Sequence, residues 1–274
     1  MTEYHDEAPP VLKGVFLLPN IITTAGLFAG FYSIIASVRE DYWMAAVAIL
    51  VANVCDILDG RVARMTRTTT RFGIEYDSLS DVIAFGVAPG LLVYTWALRP
   101  WGSAGWLAAS TYVACGALRL ARFNAQYDNA EKRHFIGLPI PAAAEVIASM
   151  VLLYYFVGGE GETHKRVTLL LTTYALAALM VSSFKYFSFK ENDLLRRQPF
   201  WSLVAVVFIL GLVVAMPPVM LLIGFGGYAA SAPVRWLVVR IRQARRRRGH
   251  GHRDDAQQPP SPPPRPRVIP GGRS

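Results

Sequence analysis

A bundle of about eight transmembrane α-helices, with both termini cytoplasmic, is the fold this sequence predicts, and three observations predict it. Hydrophobic residues make up 53% of the 274 residues and charged residues only 17%. The apolar residues fall in long runs, and the excess positive charge gathers in the short segments between runs and in the tail. Length alone admits one large domain or two ordinary ones. Composition excludes the disordered, coiled-coil and secreted disulfide-rich classes. Cys55 and Cys115 lie inside apolar runs and offer neither a disulfide framework nor a zinc spacing. A net charge of +9 would suggest nucleic acid on a soluble surface, but here it is tail and loop charge, and no nucleic-acid partner is expected.

The elements follow in order. A bilayer core of ~30 Å takes about 20 mostly apolar residues per helix. Eight runs approach this: 21–38, 42–60, 78–98, 103–123, 138–158, 167–187, 199–216 and 218–238. The second, third and fourth carry charge at one end. All are too long, and too poor in alternation, for barrel strands. Met1 to Pro10 is acidic and proline-bearing, unlike a cleavable signal peptide. With the N-terminus in the cytoplasm, 24 of the 28 Lys and Arg residues are cytoplasmic, and only Arg39, Arg99, Lys165 and Arg166 are not. The positive-inside rule therefore fixes the orientation. Residues 1–238 form the membrane domain. Residues 239–274, with Arg245 to Arg248 and a proline-rich end, form a basic cytoplasmic tail expected to be disordered, with anionic headgroups as its alternative role. The implied location is the cell (inner) membrane.

Four carboxylates stand where apolar residues belong. Asp56 and Asp59 close the second run, and Asp77 and Asp81 open the third. Charges at membrane depth are costly and mark functional sites by default. Residues three or four apart share a helix face, so each pair projects together. An antiparallel hairpin through residues 61–76 brings both pairs to one depth. Unneutralised, the four would repel one another. A divalent cation, with two expected, resolves this, and all-oxygen ligands select Mg²⁺ or Mn²⁺, with Ca²⁺ as a further hard ion. Gly60, Ala63 and Gly73 leave room for a ligand near the backbone. Arg64, Arg67 and Arg71 supply donors for phosphate oxygens. Glycines also serve helix packing and arginines also snorkel, but beside four carboxylates the set reads as a metal-bridged polyphosphate site facing the cytoplasm.

The segment Asp56-x2-Asp59-Gly60-x2-Ala63-Arg64-x8-Gly73-x3-Asp77-x3-Asp81 resembles the full signature of the CDP-alcohol phosphatidyltransferase family at all eight fixed positions. Leu18-Pro19-Asn20, the run Asp77 to Pro89, Ala121 to Asn124 and Gly137 to Ala144 resemble its bacterial, serine-using branch. The likeness spans about residues 12 to 215 and leaves out the tail. It implies that Asp56, Asp59, Asp77 and Asp81 hold metal and that Asp81 is also the general base. It implies that Gly60, Ala63, Arg64, Thr70 and Gly73 line the site for the CDP part of CDP-diacylglycerol, with Asn20 and Thr23 closing it from the first helix. It also implies a homodimer.

On this reading a serine hydroxyl, deprotonated by a carboxylate, attacks the lipid phosphorus of CDP-diacylglycerol and expels CMP. No Ser or Cys nucleophile with a His partner accompanies the motif, which favours direct transfer. His134 reads as a loop residue. Arg119 and Arg122 are the candidates for the carboxylate of L-serine, with Asn124 and Lys132 as weaker ones. Glycerol 3-phosphate, inositol or choline remain alternative acceptors. A membrane prenyltransferase would carry a second Asp-rich motif, which is absent after Asp81. A cation transporter would place its carboxylates at the bilayer midplane in broken helices.

Overall fold

The computed structural model describes residues 17–66, 68, 70–127, 137–161, 166–184, 186, 211–212 and 215–254. Among these it is all-helical, without strands. Seven helices are seen: α1 (Leu17–Val38), α2 (Tyr42–Met65), α3 (Arg71–Trp101), α4 (Ser103–Tyr127), α5 (Ile140–Phe156), α6 (Arg166–Val181) and α7 (Pro217–Asp254). Four are long and apolar enough to cross a membrane: α1, α2, α3 and the Pro217–Ile241 part of α7. The α5 and α6 helices are shorter, at 17 and 16 residues. Prolines 139 and 141 open α5, and Gly158, at φ 86°, closes it. The seventh predicted run, 199–216, lies almost wholly outside the described residues, as do Lys132, His134 and everything past Asp254.

Two boundaries differ from the sequence reading. The hairpin expected over 61–76 is only the short stretch between Met65 and Arg71, because Thr70 caps α3 early, its hydroxyl accepting from the Gly73 amide at 3.0 Å. Asp77 and Asp81 therefore sit inside α3 rather than opening it. The tail expected to be disordered begins instead as helix, since α7 runs on to Asp254. Arginine is a good helix former, and extending an existing helix avoids the cost of nucleation. Pro233 lies within α7; the compact unit ends at Ala232 and a second unit begins at Pro233.

The α3 helix is the centre of the bundle. It packs against α1, α2, α4, α5 and α6, and 61% of its most apolar window is buried, against 33% for α1 and for α2. Its α-helical turns give way to π turns at Val82–Val87 and Tyr94–Leu98, and Pro89 and Pro100 remove two backbone donors. Pro89 stands four residues after Phe85, so the Phe85 carbonyl loses its ordinary helical partner. The buried Tyr112 hydroxyl of α4 donates to that carbonyl at 3.1 Å, and Tyr42 of α2 donates to the Thr95 carbonyl at 3.2 Å. Two tyrosines thus repair the backbone of an irregular helix.

Glycines let α1 approach its neighbours. A side chain on Gly30 would put its Cβ 2.6 Å from the Ala84 Cα, and one on Gly26 would lie 3.2 Å from the Cys55 Cβ. This is the small-xxx-small spacing of close helix packing. Gly137, at φ 87°, brings its amide to the Phe184 carbonyl at 2.9 Å, while the Leu138 amide reaches Leu179 at 3.0 Å.

Tyr112→Phe should leave the Phe85 carbonyl buried without a donor, a loss of about 1–3 kcal/mol. Thermal unfolding of the purified variant in detergent should show a midpoint lower by several degrees, and an unchanged midpoint would mean that the bond contributes nothing.

Candidate active site

The site lies at the end of the bundle where α2 finishes and α3 starts. On α2 the three-residue spacing directs Asp56 and Asp59 to one side; on α3 the four-residue spacing does the same for Asp77 and Asp81. Ligand oxygens from Asp56, Asp59 and Asp77 all lie within 4.8 Å of one another. Asp81 stands outside that trio but lines the same small cavity, together with Thr23, Gly26, Ala52, Ser80, Ala84 and Phe85. The sequence reading treats all four aspartates as ligands. The geometry groups three and sets the fourth beside them.

The α1 helix completes the enclosure because its glycines allow it so close. The Thr23 hydroxyl donates to Asp59 Oδ2 at 2.6 Å, and Ser80 points its hydroxyl at the Thr23 carbonyl, 3.4 Å away. Asp59 is buried, with 4% of its surface exposed. Asn20 and Thr70 meet at Gly73, where an added Cβ would stand 3.4 Å from the Asn20 side-chain oxygen and 3.2 Å from the Thr70 hydroxyl. Thr24 and Tyr76 share a hydrogen bond at 2.9 Å. Arg64 folds its guanidinium over Gly60, 3.4 Å from where a Cβ would be, and Ala63 is half-buried on the same turn. A larger residue at 60 or 73 would push these groups aside.

The electrostatics are unbalanced. Asp81 feels the charges of Asp56, Asp77 and Asp59, with Arg119 opposing them, and Arg64 attracts Asp56 and Asp59. None of the four carboxylates forms an ion pair among the described residues. Hard oxygens this close, enclosed and short of positive charge, fit a divalent metal ion. The Asp56, Asp59 and Asp77 triad can hold one.

The residues expected at an acceptor pocket separate. Arg119 reaches toward Asp81 from α4, and its buried Nε has no hydrogen-bond partner. Arg122 donates to the Val181 carbonyl at 3.4 Å, an interaction of the kind that closes a helix C-terminus. The Asn124 amide donates to Ser78 at 3.0 Å and to Glu75 at 3.3 Å, joining α4 to α3 on the far side of Asp77. Tyr228, on α7, interacts electrostatically with Arg119, and sequence reasoning missed it. A tyrosine near the end of an apolar run reads as an interfacial belt residue, so no sequence signal separates it from one.

Comparison with known proteins agrees with this arrangement. The sequence profile of the CDP-alcohol phosphatidyltransferases matches residues 16–183, which include every aspartate and glycine just described. The chain belongs to the CDP-alcohol phosphatidyltransferase family. Within it, the chain is 38% identical over 237 residues to the CDP-diacylglycerol–serine O-phosphatidyltransferase of Helicobacter pylori, covering 84% of this chain and 95% of that one. It is 33% identical over 175 residues to the Bacillus subtilis protein of the same name, covering 64% and 92%. It is 37% identical over 171 residues to the archaetidylserine synthase of Methanothermobacter thermautotrophicus, covering 62% and 69%.

Thr23→Val keeps the side-chain shape and removes the hydroxyl that orients Asp59. Loss of a group that orients a metal ligand typically costs 10- to 100-fold in metal affinity. Titration of the purified variant with Mn²⁺ should show an affinity lower by at least about tenfold. Unchanged affinity would mean that the Thr23–Asp59 bond has no part in metal binding.

Proposed function

We propose that this protein is a CDP-diacylglycerol–serine O-phosphatidyltransferase, which moves the phosphatidyl group of CDP-diacylglycerol onto the hydroxyl of L-serine and releases CMP. The observation that carries the reaction class is the convergence of Asp56, Asp59 and Asp77 from two helices, with Asp81 and Arg64 beside them. Serine as acceptor is supported by the near full-length likeness to the Helicobacter pylori protein.

Asp56, Asp59 and Asp77 would hold Mg²⁺ or Mn²⁺, one ion or a pair with Asp81 shared. The ion's contribution is to screen the pyrophosphate and favour departure of CMP. The remaining work belongs to side chains. Arg64, free over Gly60, offers planar donors to phosphate oxygens. Asn20, Thr23, Thr70 and Gly73 close the nucleotide side, and Ala63 and Gly60 keep it open to a ligand. Asp81 accepts the proton of the serine hydroxyl as the new O–P bond forms, and the bond from that phosphorus to the CMP oxygen breaks with its electron pair leaving on CMP. Arg119, with an unpartnered nitrogen near Asp81, is the group best set to hold the serine carboxylate. Arg122 and Asn124 have partners of their own and act at more distance.

The same reading makes the chain a multi-pass protein of the cell (inner) membrane, with eight spans, both termini and the site on the cytoplasmic side, and two copies in a homodimer. The loop charges support the orientation, since the end of the bundle bearing Arg61, Arg64 and Arg71 is the one that holds the aspartates. An acyl donor anchored in lipid and a polar acceptor from the cytosol both reach a site at that interface.

Two measurements test this. Purified protein given CDP-diacylglycerol and each of serine, glycerol 3-phosphate, inositol and choline should release CMP with serine alone, and Asp81→Asn should lower turnover at least ~100-fold while staying folded. Rapid turnover with another acceptor, or a fully active Asp81→Asn protein, would overturn the assignment or the role of the base. For orientation, a cysteine at Glu160 should react with an impermeant thiol reagent in intact cells and one at Met65 only after permeabilisation; the reverse pattern would invert the topology.

A further inference from the structure

The family profile ends at residue 183, yet one polar group from beyond it faces the reacting end of the bundle. Tyr228 of α7 is half-buried. Its ring lies against Tyr186, with centroids 5.3 Å apart and planes inclined by 42°, and the Tyr186 hydroxyl donates to the Ala229 carbonyl at 3.0 Å. Tyr186 thus fixes both the ring and the backbone of α7 at this turn. Among the described residues the Tyr228 hydroxyl has no hydrogen-bond partner, although its electrostatic neighbour is the Arg119 guanidinium. Arg119 is itself short of partners, with Nε fully buried and unbonded, and its other electrostatic neighbour is Asp81.

Buried donors are nearly always paired, so two of them facing one region without partners call for an acceptor that the chain does not supply. The acceptor must be anionic, because one donor is a guanidinium and the other a phenol, and neither can accept a proton from the other's side of the gap in exchange. It must also sit beside Asp81, the group that takes the proton of the attacking hydroxyl. A hydroxy acid carrying its carboxylate a few bonds from its hydroxyl meets both conditions.

We infer that Tyr228 is a specificity-determining residue, its hydroxyl joining Arg119 in holding the carboxylate of the amino-acid acceptor while the acceptor's hydroxyl faces Asp81. This rests on the serine-transferase reading above and adds to it a residue from a helix outside the part of the chain that the family profile matches. Acceptors without a carboxylate would gain nothing from the pair. The α7 helix then contributes to acceptor choice, while α2 and α3 contribute the chemistry common to any acceptor.

The test compares wild type and Tyr228→Phe with serine and with serinol (2-amino-1,3-propanediol), which keeps the amine and hydroxyl but lacks the carboxylate. Removing one donor to a charged acceptor should raise serine KM by about tenfold or more. KM for CDP-diacylglycerol and turnover of serinol should move by less than about twofold, far below that change. The preference for serine over serinol should fall by the same tenfold. Equal losses on both acceptors would show that Tyr228 only supports the packing of α7, and unchanged serine KM would show that it takes no part; either overturns the inference. Tyr228→Leu, which also removes the ring, should lose no less than the Phe variant on serine. Failure of the wild-type protein to use serine at all would instead overturn the underlying assignment, so the two failures are distinguishable.

Discussion

Mutual repulsion among four carboxylates is the constraint on which the rest of the structure depends. Asp56, Asp59, Asp77 and Asp81 lie on two helices joined by a short turn, and the fold forces them toward one small cavity. Helices separated by a few more residues, or rotated by one position, would spread the charges and relieve the strain. Here Thr70 stops the turn early and π turns follow Asp81 directly, so the four stay together. Like charges held at this distance in a poorly solvated place are unfavourable on their own. An enclosure of that kind makes physical sense only with positive charge brought to it, from a cation, from Arg64 and Arg119, and from whatever the substrate's phosphates bridge.

The helix that closes the enclosure bears none of the charge. Through Gly26 and Gly30, α1 lies near enough to α2 and α3 for Thr23 to reach Asp59 and for Asn20 to reach Gly73. Packing and chemistry are linked there, since a bulkier residue at position 30 would move a hydroxyl that orients a metal ligand. Irregularity in α3 has the same double character. Pro89 and Pro100 would leave carbonyls unpaired in the interior, and Tyr112 and Tyr42 satisfy them from neighbouring helices. The residues that hold α3 in place therefore also hold Asp77 and Asp81 at the right height.

Much of this was legible in the sequence because it rests on short-range periodicity. The spacing of the aspartates, read at 100° per residue, predicts the paired faces that α2 and α3 present. Apolar run lengths predict the helices, although the early cap at Thr70 and the short α5 depend on local hydrogen bonding that hydropathy does not register. What was hidden depends on contacts between distant segments. Asn124 looks like a ligand for substrate until its bonds to Ser78 and Glu75 are seen, and Arg122 likewise until it meets Val181. Tyr228 is more than a hundred positions from Arg119 in the chain, and nothing local marks it.

The central claim is that the carboxylate cluster is strained alone and relieved by a divalent cation, and thermal unfolding of wild type beside Asp56→Asn/Asp77→Asn measures this most directly. With metal removed by chelator, the doubly neutralised protein should unfold at a higher temperature than wild type, because two repelling charges are gone. With saturating Mn²⁺ the order should invert, because a ligand that binds only the folded state stabilises it by mass action and only wild type retains the site. A wild-type midpoint that does not respond to Mn²⁺, or that exceeds the variant's in chelator, would contradict the account.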